Sequence, residues 1–585
     1  MLLDKGADIN AQGGSYSNAL YAASSEGHDK IVQMLLDKGA DTDAKGSSYS
    51  NALYAASSKG HNKIVQMLLN KGRNINEGFV CNSGALVAAS ERGHSKVVQM
   101  LLDKGADINA QGGSYSNALY AASSEGHNKV VQMLLDKGVD TDAKGSSYSN
   151  ALYAASSKGH NKVVQILLDK GADANAKGGH HSNALYAASE EGHDKVVQIL
   201  LDKGADVNAK GGRYDNALQA ASLRGYSKII QMLLNSGADV NAQGGRYSNA
   251  LQAASEEGHT KIVQMLLNKG ADVNAQGGPY GNALQAASEE GYNKVVQILL
   301  DKGADVNAQG GSDGNALYAA SSRGYSQIVQ MLLNRGADVN AKGGRYSNAL
   351  NVASSKGYNK IVQMLLNKGA DVNAQGGHYG NALQAASKEG YNKVVQILLD
   401  KGADVNAKGG RYNNALQAAS SGGYSNIVQM LFDRGADINA KGGRYGNNLY
   451  AASSGGYEKV VQMLLDKGAD INVQDADNSN ALHVASSRGH NKVVQMLLDK
   501  GADINAQGGS YTNALYAASS EGHDEVVQML LDKGTDTDAK GSSYSNALYA
   551  ASSKGHNKVV QMLLDKGAVA SHNGKVMDNP HRFSR

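Results

Sequence analysis

Apolar residues come along the chain in two clusters that recur together every 33 residues. In the stretch from Ala242 to Asn274, AQGGRYSNALQAASEEGHTKIVQMLLNKGADVN, the first cluster is Ala250, Leu251, Ala253 and Ala254, and the second is Ile262, Val263, Met265, Leu266 and Leu267. The second set falls at i, i+1, i+3, i+4 and i+5, a broad stripe along one side of a helix. Asn249 is placed to cap the first helix and Gly258 to end it in a left-handed conformation, while Lys269 and Gly270 supply the charge and the stop for the second. Each unit therefore reads as a pair of helices, the first only about two turns long. The column Asp29, Asn62, Ser95, Asn128 and onward is Asp, Asn, Ser or Thr in every member but Glu458, which predicts N-caps for the second helices. Between pairs runs a stretch such as GADVNAQGGRYS, where paired glycines like Gly277 and Gly278 permit positive φ and the Asp and Asn residues favour turns, so a projecting hairpin-like finger is expected there.

The closing glycine, Gly270, has a counterpart every 33 residues from Gly6 to Gly567, without insertion or deletion. A fixed period of this size predicts a stacked solenoid, because one unit cannot bury its own apolar face. Residues 1–10 read as a partial repeat, 11–570 as seventeen tandem repeats, and 571–585 as an irregular tail. Met1 falls in the mid-helix column of Met34, Met67 and Met100. The expectation is therefore a fragment of a longer protein, or a frame begun at an internal methionine. Residues 1–72, 100–171 and 496–567 are nearly identical, so sameness between repeats partly reflects copying rather than physical requirement.

Charge and composition narrow the function more than the fold. Lys plus Arg is 57 and Asp plus Glu 54, a net charge of +3, which gives no bulk attraction to nucleic acid or an anionic membrane. No apolar run approaches the roughly 18 residues that span a bilayer, and no secretory leader is visible. With the single cysteine Cys81 excluding an internal disulfide framework, a soluble cytoplasmic protein is expected, the nucleus remaining open. Ten of the sixteen histidines, including His28, His61, His259 and His556, share one column. Stacked repeats would hold them about 8–10 Å apart, too far to share a metal. His180 and His181 share one finger but have no third ligand at suitable spacing. The glycine pairs lack the GxxxxGK[ST] context of a phosphate loop, and no HExxH or GxSxG stands out from the period. No catalytic residue, metal or cofactor is expected.

The segments NALQAAS and GHTKIVQMLLNKGADVNA resemble the ankyrin repeat, whose pattern runs TPLH, AA, GH, a leucine-rich helix and GADVN. The likeness covers residues 1 to 570 and implies an all-α solenoid of inner and outer helices with projecting β-turn fingers, stacked into a curved superhelix. Departures are specific. Thr-Pro becomes Asn249 and Ala250; the finger Asp becomes Gly244 and the finger Gly becomes Tyr247, which predicts more mobile fingers. Asp475 to Leu482 restores the finger Asp, His483 alone restores the family histidine, and the third unit, with Glu77, Phe79, Val80, Cys81 and Gly84, departs most. This NALQAAS dialect is similar to ankyrin arrays attached to NACHT-type proteins of filamentous fungi. That narrower likeness would make the chain the sensor arm of a larger nucleotide-hydrolysing protein.

All 29 tyrosines lie in three columns: thirteen on fingers, nine early in the first helix, and seven in place of the column histidine. The last group reads as packing residues, the helix-one group equally as packing or contact, and the finger group as contact residues. From about Gly211 to Tyr445 the finger often carries Arg before its tyrosine, as at Arg213 and Tyr214, Arg246 and Tyr247, Arg345 and Tyr346, Arg411 and Tyr412, and Arg444 and Tyr445, with Tyr280 and Tyr379 on the fingers between. Gln219, Gln252, Gln285, Gln384 and Gln417 stand behind them. With Glu256 and Glu257 on the inner helix, this set is the expected partner-binding surface, since Arg pairs bidentately with carboxylate or phosphate and stacks on aromatic rings. A monomeric array is expected, binding a protein or extended peptide along a concave face on the order of 140–170 Å long. The alternative, anion or nucleic-acid binding through the Arg and Tyr fingers, is opposed by the acidic floor of Glu256, Glu257, Glu289 and Glu290.

Overall fold

The computed structural model describes residues 7–13, 18–44, 51–71, 75, 84–110, 117–145, 149–179, 182–344, 347–443, 446–474, 478–508, 513–540, 546–569, 571–572 and 575–576. Among these the chain alternates first helices of seven or eight residues with second helices of nine, thirty-four in all. Two-residue strands, Ser571–His572 and Lys575–Val576, pair antiparallel in the segment expected to be irregular. The chain divides into two compact units, Met1–Ala304 and Asp305–Arg585.

Within each unit, first helices pack on first helices and second on second. In the first unit Ala217–Arg224 lies between Ala184–Glu191 and Ala250–Glu256. In the second, Ala382–Glu389 lies between Ala349–Ser355 and Ala415–Gly422, with Asn392–Asp400 behind it between Asn359–Asn367 and Ser425–Asp433. The core is the apolar columns read from the sequence: Leu251, Ala253, Ala254, Ile262, Val263 and Leu266 are at most 2% exposed, whereas Met265 and Leu267 are only half-buried. Small alanines on the first helices let neighbours approach closely, and the larger second-helix residues fill the space behind.

The caps follow local chemistry, with one correction. Asn249 Oδ1 accepts the Gln252 N–H at 2.8 Å, the N-cap arrangement expected for the first helix. At its end Gly258 has φ +71°, and the His259 N–H closes onto the Ala254 carbonyl at 2.9 Å. The Asp, Asn, Ser or Thr column does not cap the second helix. Thr260 is the first residue of Thr260–Asn268, and His259 holds the capping position without a side-chain bond. The connection is so short that the backbone closes it, Thr260 N–H donating to the Gly258 carbonyl at 2.8 Å. The column's acids still sit favourably in the first turn, as Asp29, Asp194 and Asp524 do.

The column histidine reaches backward instead. His61 Nε2 lies 3.1 Å from the Ser25 carbonyl of the preceding repeat, so that nitrogen carries the proton, and the ring rests on Gly27. Tyrosines use the same seat: a Cβ added to Gly258 would lie 2.5 Å from the Tyr292 ring. This glycine column is thus required both for its positive φ and for its missing side chain.

A second tie runs along the loops. Asn241 accepts the Asp272 N–H at 2.7 Å and donates to the Gly270 carbonyl at 3.1 Å, while its own N–H meets Asp239 at 2.9 Å. Asn208, Asn307, Asn340 and Asn406 repeat the bridge. The GADVN signature therefore fastens each loop to the next. Among the described residues, no helix is long and apolar enough to cross a membrane.

Candidate functional site

The finger begins as a tight turn. In the stretch after Asn241, Gly244 N–H donates to the Ser248 carbonyl at 2.9 Å, and isolated antiparallel bridges join Gly277 to Gly281, Gly376 to Gly380 and Gly409 to Asn413. Such a turn leaves several carbonyls without a partner inside the finger, and the inner helix of the preceding repeat supplies one. Gln219 donates to the carbonyls of Ala242 at 3.1 Å and Ser248 at 3.3 Å. Gln252 reaches Ala275, Gly277 and Gly281 at 3.1–3.3 Å. Gln384 meets Ala407 at 3.0 Å and Asn413 at 2.9 Å, and Gln417 meets Gly442 at 3.0 Å.

The five glutamines, Gln285 included, are buried, none more than 4% exposed. They were expected to stand behind the arginines as contact residues; their side chains are turned into the junction between repeats. A buried amide must find acceptors, and the open finger is where they are.

Finger tyrosines divide by position. Tyr214, Tyr247 and Tyr412 are 4–7% exposed, so they present little surface to a partner. Their rings stack from finger to finger: Tyr214 and Tyr247 lie 5.7 Å apart at 24°, and Tyr379 and Tyr412 lie 6.5 Å apart at 9°. The glycine pair makes this approach possible, since a Cβ on Gly245 would lie 2.6 Å from the Tyr214 carbonyl carbon. Tyr280 and Tyr379 are half-exposed and turn their hydroxyls to inner-helix acids, Tyr280 to Glu256 at 3.1 Å and Tyr379 to Glu389 at 2.8 Å.

The helix-one tyrosines take the place of glutamine in other repeats. Tyr120, Tyr153, Tyr186 and Tyr318 pack under Gly145, Gly178, Gly212 and Gly343 of the following finger. Tyr186 also receives the Tyr214 N–H at 3.3 Å. A cleft opens beside some of these tyrosines. In the first unit, a cleft of about 540 Å³ is lined by Tyr153, Ser182, Tyr186, Glu190, Gly212 and Arg213.

Arg213 and Arg246 are exposed and lie over the rings of their own finger tyrosines, at 5.8 and 5.4 Å. Arg411 lies 6.0 Å from the Tyr412 ring. Arg345, Tyr346, Arg444 and Tyr445 lie outside the described residues, as do Cys81, His180 and His181. On the floor, Glu257 is exposed and Glu256 half-buried. Burial pushes the Glu256 carboxyl above the usual range; the Tyr280 hydrogen bond opposes this, and Glu257 reinforces it. Burial and the nearby Glu256 push the Tyr280 phenol up as well. For Tyr379, burial and the bond to Glu389 push the phenol up to about 12.

Sequence reasoning missed Lys388. It occupies the column that holds Glu256 and Glu289 in earlier repeats, and that reversal of sign was the available signal. Its ammonium lies 5.2 Å from the ring of Tyr412, which Arg411 also approaches. Among the described residues no group of three or more His, Cys, Asp or Glu is placed to hold a metal.

Comparison with known proteins covers almost the whole chain. The family of ankyrin repeats (3 copies) matches residues 1–78, 20–112, 76–145, 118–211, 179–244, 217–310, 284–376, 350–442, 441–508 and 507–575. Among solved structures, the human ASB11 ankyrin repeat domain is similar at 25% identity with a TM-score of 0.35, covering 38% of this chain and 99% of that one. No curated protein matches the sequence.

Proposed function

This chain belongs to the ankyrin repeat family, and from that premise we propose that it is a protein-binding array whose fingers and inner helices select an extended segment of a partner. Ankyrin repeats are generally protein–protein interaction modules, and the apolar columns here do nothing but build the stack. The observation that carries the reading is the state of the finger arginines. Arg213, Arg246 and Arg411 rest on aromatic rings, and among the described residues none has a carboxylate within ion-pair distance. A guanidinium stacked on one face keeps its in-plane donors for another molecule.

The buried glutamines and finger tyrosines have a different part. They set the height and spacing of the fingers, so that the arginines and the half-exposed Tyr280 and Tyr379 are presented on a fixed frame. Contact is proposed for Arg213, Arg246, Arg345, Arg411 and Arg444, with Tyr280, Tyr379, Glu256 and Glu257.

A randomised peptide library displayed on phage and selected on the whole chain tests this. Selected peptides should bind the wild-type array and lose most of their affinity when the five finger arginines are changed to Ser. Undiminished binding by that variant would overturn the reading. Tight, steeply salt-dependent binding of unrelated DNA or RNA would replace it with a nucleic-acid function.

A further inference from the structure

Two features of the second unit lie side by side, and together they define what the partner must offer. The first is a pair of cations that share one ring. Lys388 comes from the inner helix Ala382–Glu389 and Arg411 from the next finger; their charged groups lie 5.2 and 6.0 Å from the Tyr412 ring centre. Among the described residues neither makes an ion pair, and the Lys388 ammonium meets the neutral oxygens of Ser421, at 3.3 and 3.5 Å. Arg411 holds its finger in place through its backbone, donating to the His378 carbonyl at 3.2 Å, while its buried Nε has no acceptor. A carboxylate seated against the two cations would be held by charge-assisted hydrogen bonds.

Glu389, next to Lys388 in sequence, is engaged. Glu389 accepts the Tyr379 hydroxyl at 2.8 Å rather than pairing with Lys388 or Arg411.

The second feature is a cleft of about 140 Å³ one repeat earlier, with mostly apolar walls that include Tyr318, Val352, Tyr379 and Ala385. It occurs where Tyr318 and Asn351 replace the longer glutamine of other repeats, Asn351 still donating to the Gly376 carbonyl at 3.3 Å. Its volume suits one aliphatic or aromatic side chain, since a cavity of about 150 Å³ holds benzene. Tyr379 forms a wall of the cleft and stacks on Tyr412, so the cleft adjoins the ring that carries the two cations.

We propose that this surface binds an acidic peptide segment carrying one apolar side chain, seated in the Tyr318–Val352–Tyr379 cleft, and one carboxylate, seated between Lys388 and Arg411. The two seats lie on adjacent repeats, roughly 8–10 Å apart. An extended chain covers that distance in about three residues, so the motif is apolar-x-x-acid. Glu389 at the margin of the seat disfavours a polyanion, which would have to run past it, and favours a single carboxylate.

The inference rests on the protein-binding reading above, and the experiment separates the two. Peptides selected on the whole chain are sequenced, and their affinities are measured against wild type, Lys388→Gln and Arg411→Gln, each variant being checked for unchanged helicity. Enrichment of the apolar-x-x-acid spacing is expected, as is a loss of about tenfold with either variant, the size of one charge-assisted hydrogen bond. Replacing Glu by Gln, or the apolar residue by Ala, in the selected peptide should weaken binding to wild type by a similar factor, a readout that requires no protein variant. Peptides that bind without an acid, or that are indifferent to both substitutions, overturn this inference and leave the general function standing. Recovery of no peptide overturns both, and displacement of selected peptides by a short RNA as effective as free peptide reassigns the seat to nucleic acid.

Discussion

A buried amide without acceptors would destabilise the fold, and here the amide decides where a finger sits. Gln384 both caps its own helix, accepting the Asn381 N–H at 3.0 Å, and donates to two carbonyls of the next finger. Gln384→Ala should cost the junction about 1–3 kcal/mol. Hydrogen exchange of the finger amides between residues 407 and 413 would show the loss, and unchanged protection would mean that the finger holds itself. A carboxyl in the same surroundings behaves differently. Because burial raises the folded-state pKa of Glu256, its contribution to stability is fully present below the ordinary glutamate range and is lost as pH rises through the raised value. Glu256→Gln is therefore expected to raise the urea midpoint at about pH 7 and to leave it unchanged at about pH 4. An equal effect at both pH values would assign the gain to something other than charge. Neither residue's burial was legible in the sequence. The period tells which residues share a column, but Gln384 meets its acceptors 23 and 29 positions further along, and nothing local marks that distance.

Helices were more legible than their junctions, for a physical reason. Asn249, Ala250, Leu251 and Gly258 act within one turn of each other, so their propensities combine where they stand. The seat of His61 on Gly27 involves two repeats, and the histidine column looked like packing without revealing what it packed on. The same limit hid the first helices' serine column. Ser222, Ser255 and Ser288 are fully buried, and their hydroxyls have no hydrogen-bond partner, as in equivalent positions along the chain. Alanine is the better helix former and leaves nothing unsatisfied. Ser255→Ala should stabilise by about 1 kcal/mol in urea unfolding; a destabilised variant would show that the hydroxyl has found a partner in solution.

Across the molecule, order is nearest-neighbour order. Rings, asparagine bridges and glutamine struts each join a repeat only to the one beside it. Excising residues 242–274, a whole period, should leave helical content per residue unchanged by circular dichroism, whereas excising half a period should lower it. Equal losses would mean that the fold depends on more than adjacent contacts. The histidines in the column of rings have a further consequence, because those from His61 onward are each held by a carbonyl 36 residues nearer the N-terminus. Every bond of this kind points the same way, so the stack has a grain. Pulled from its ends in a force spectrometer, such a chain should yield one period at a time, lengthening by roughly 100 Å at each event, the extended length of 33 residues less one repeat spacing. It would act as a spring that gives in even steps and closes again along its own grain.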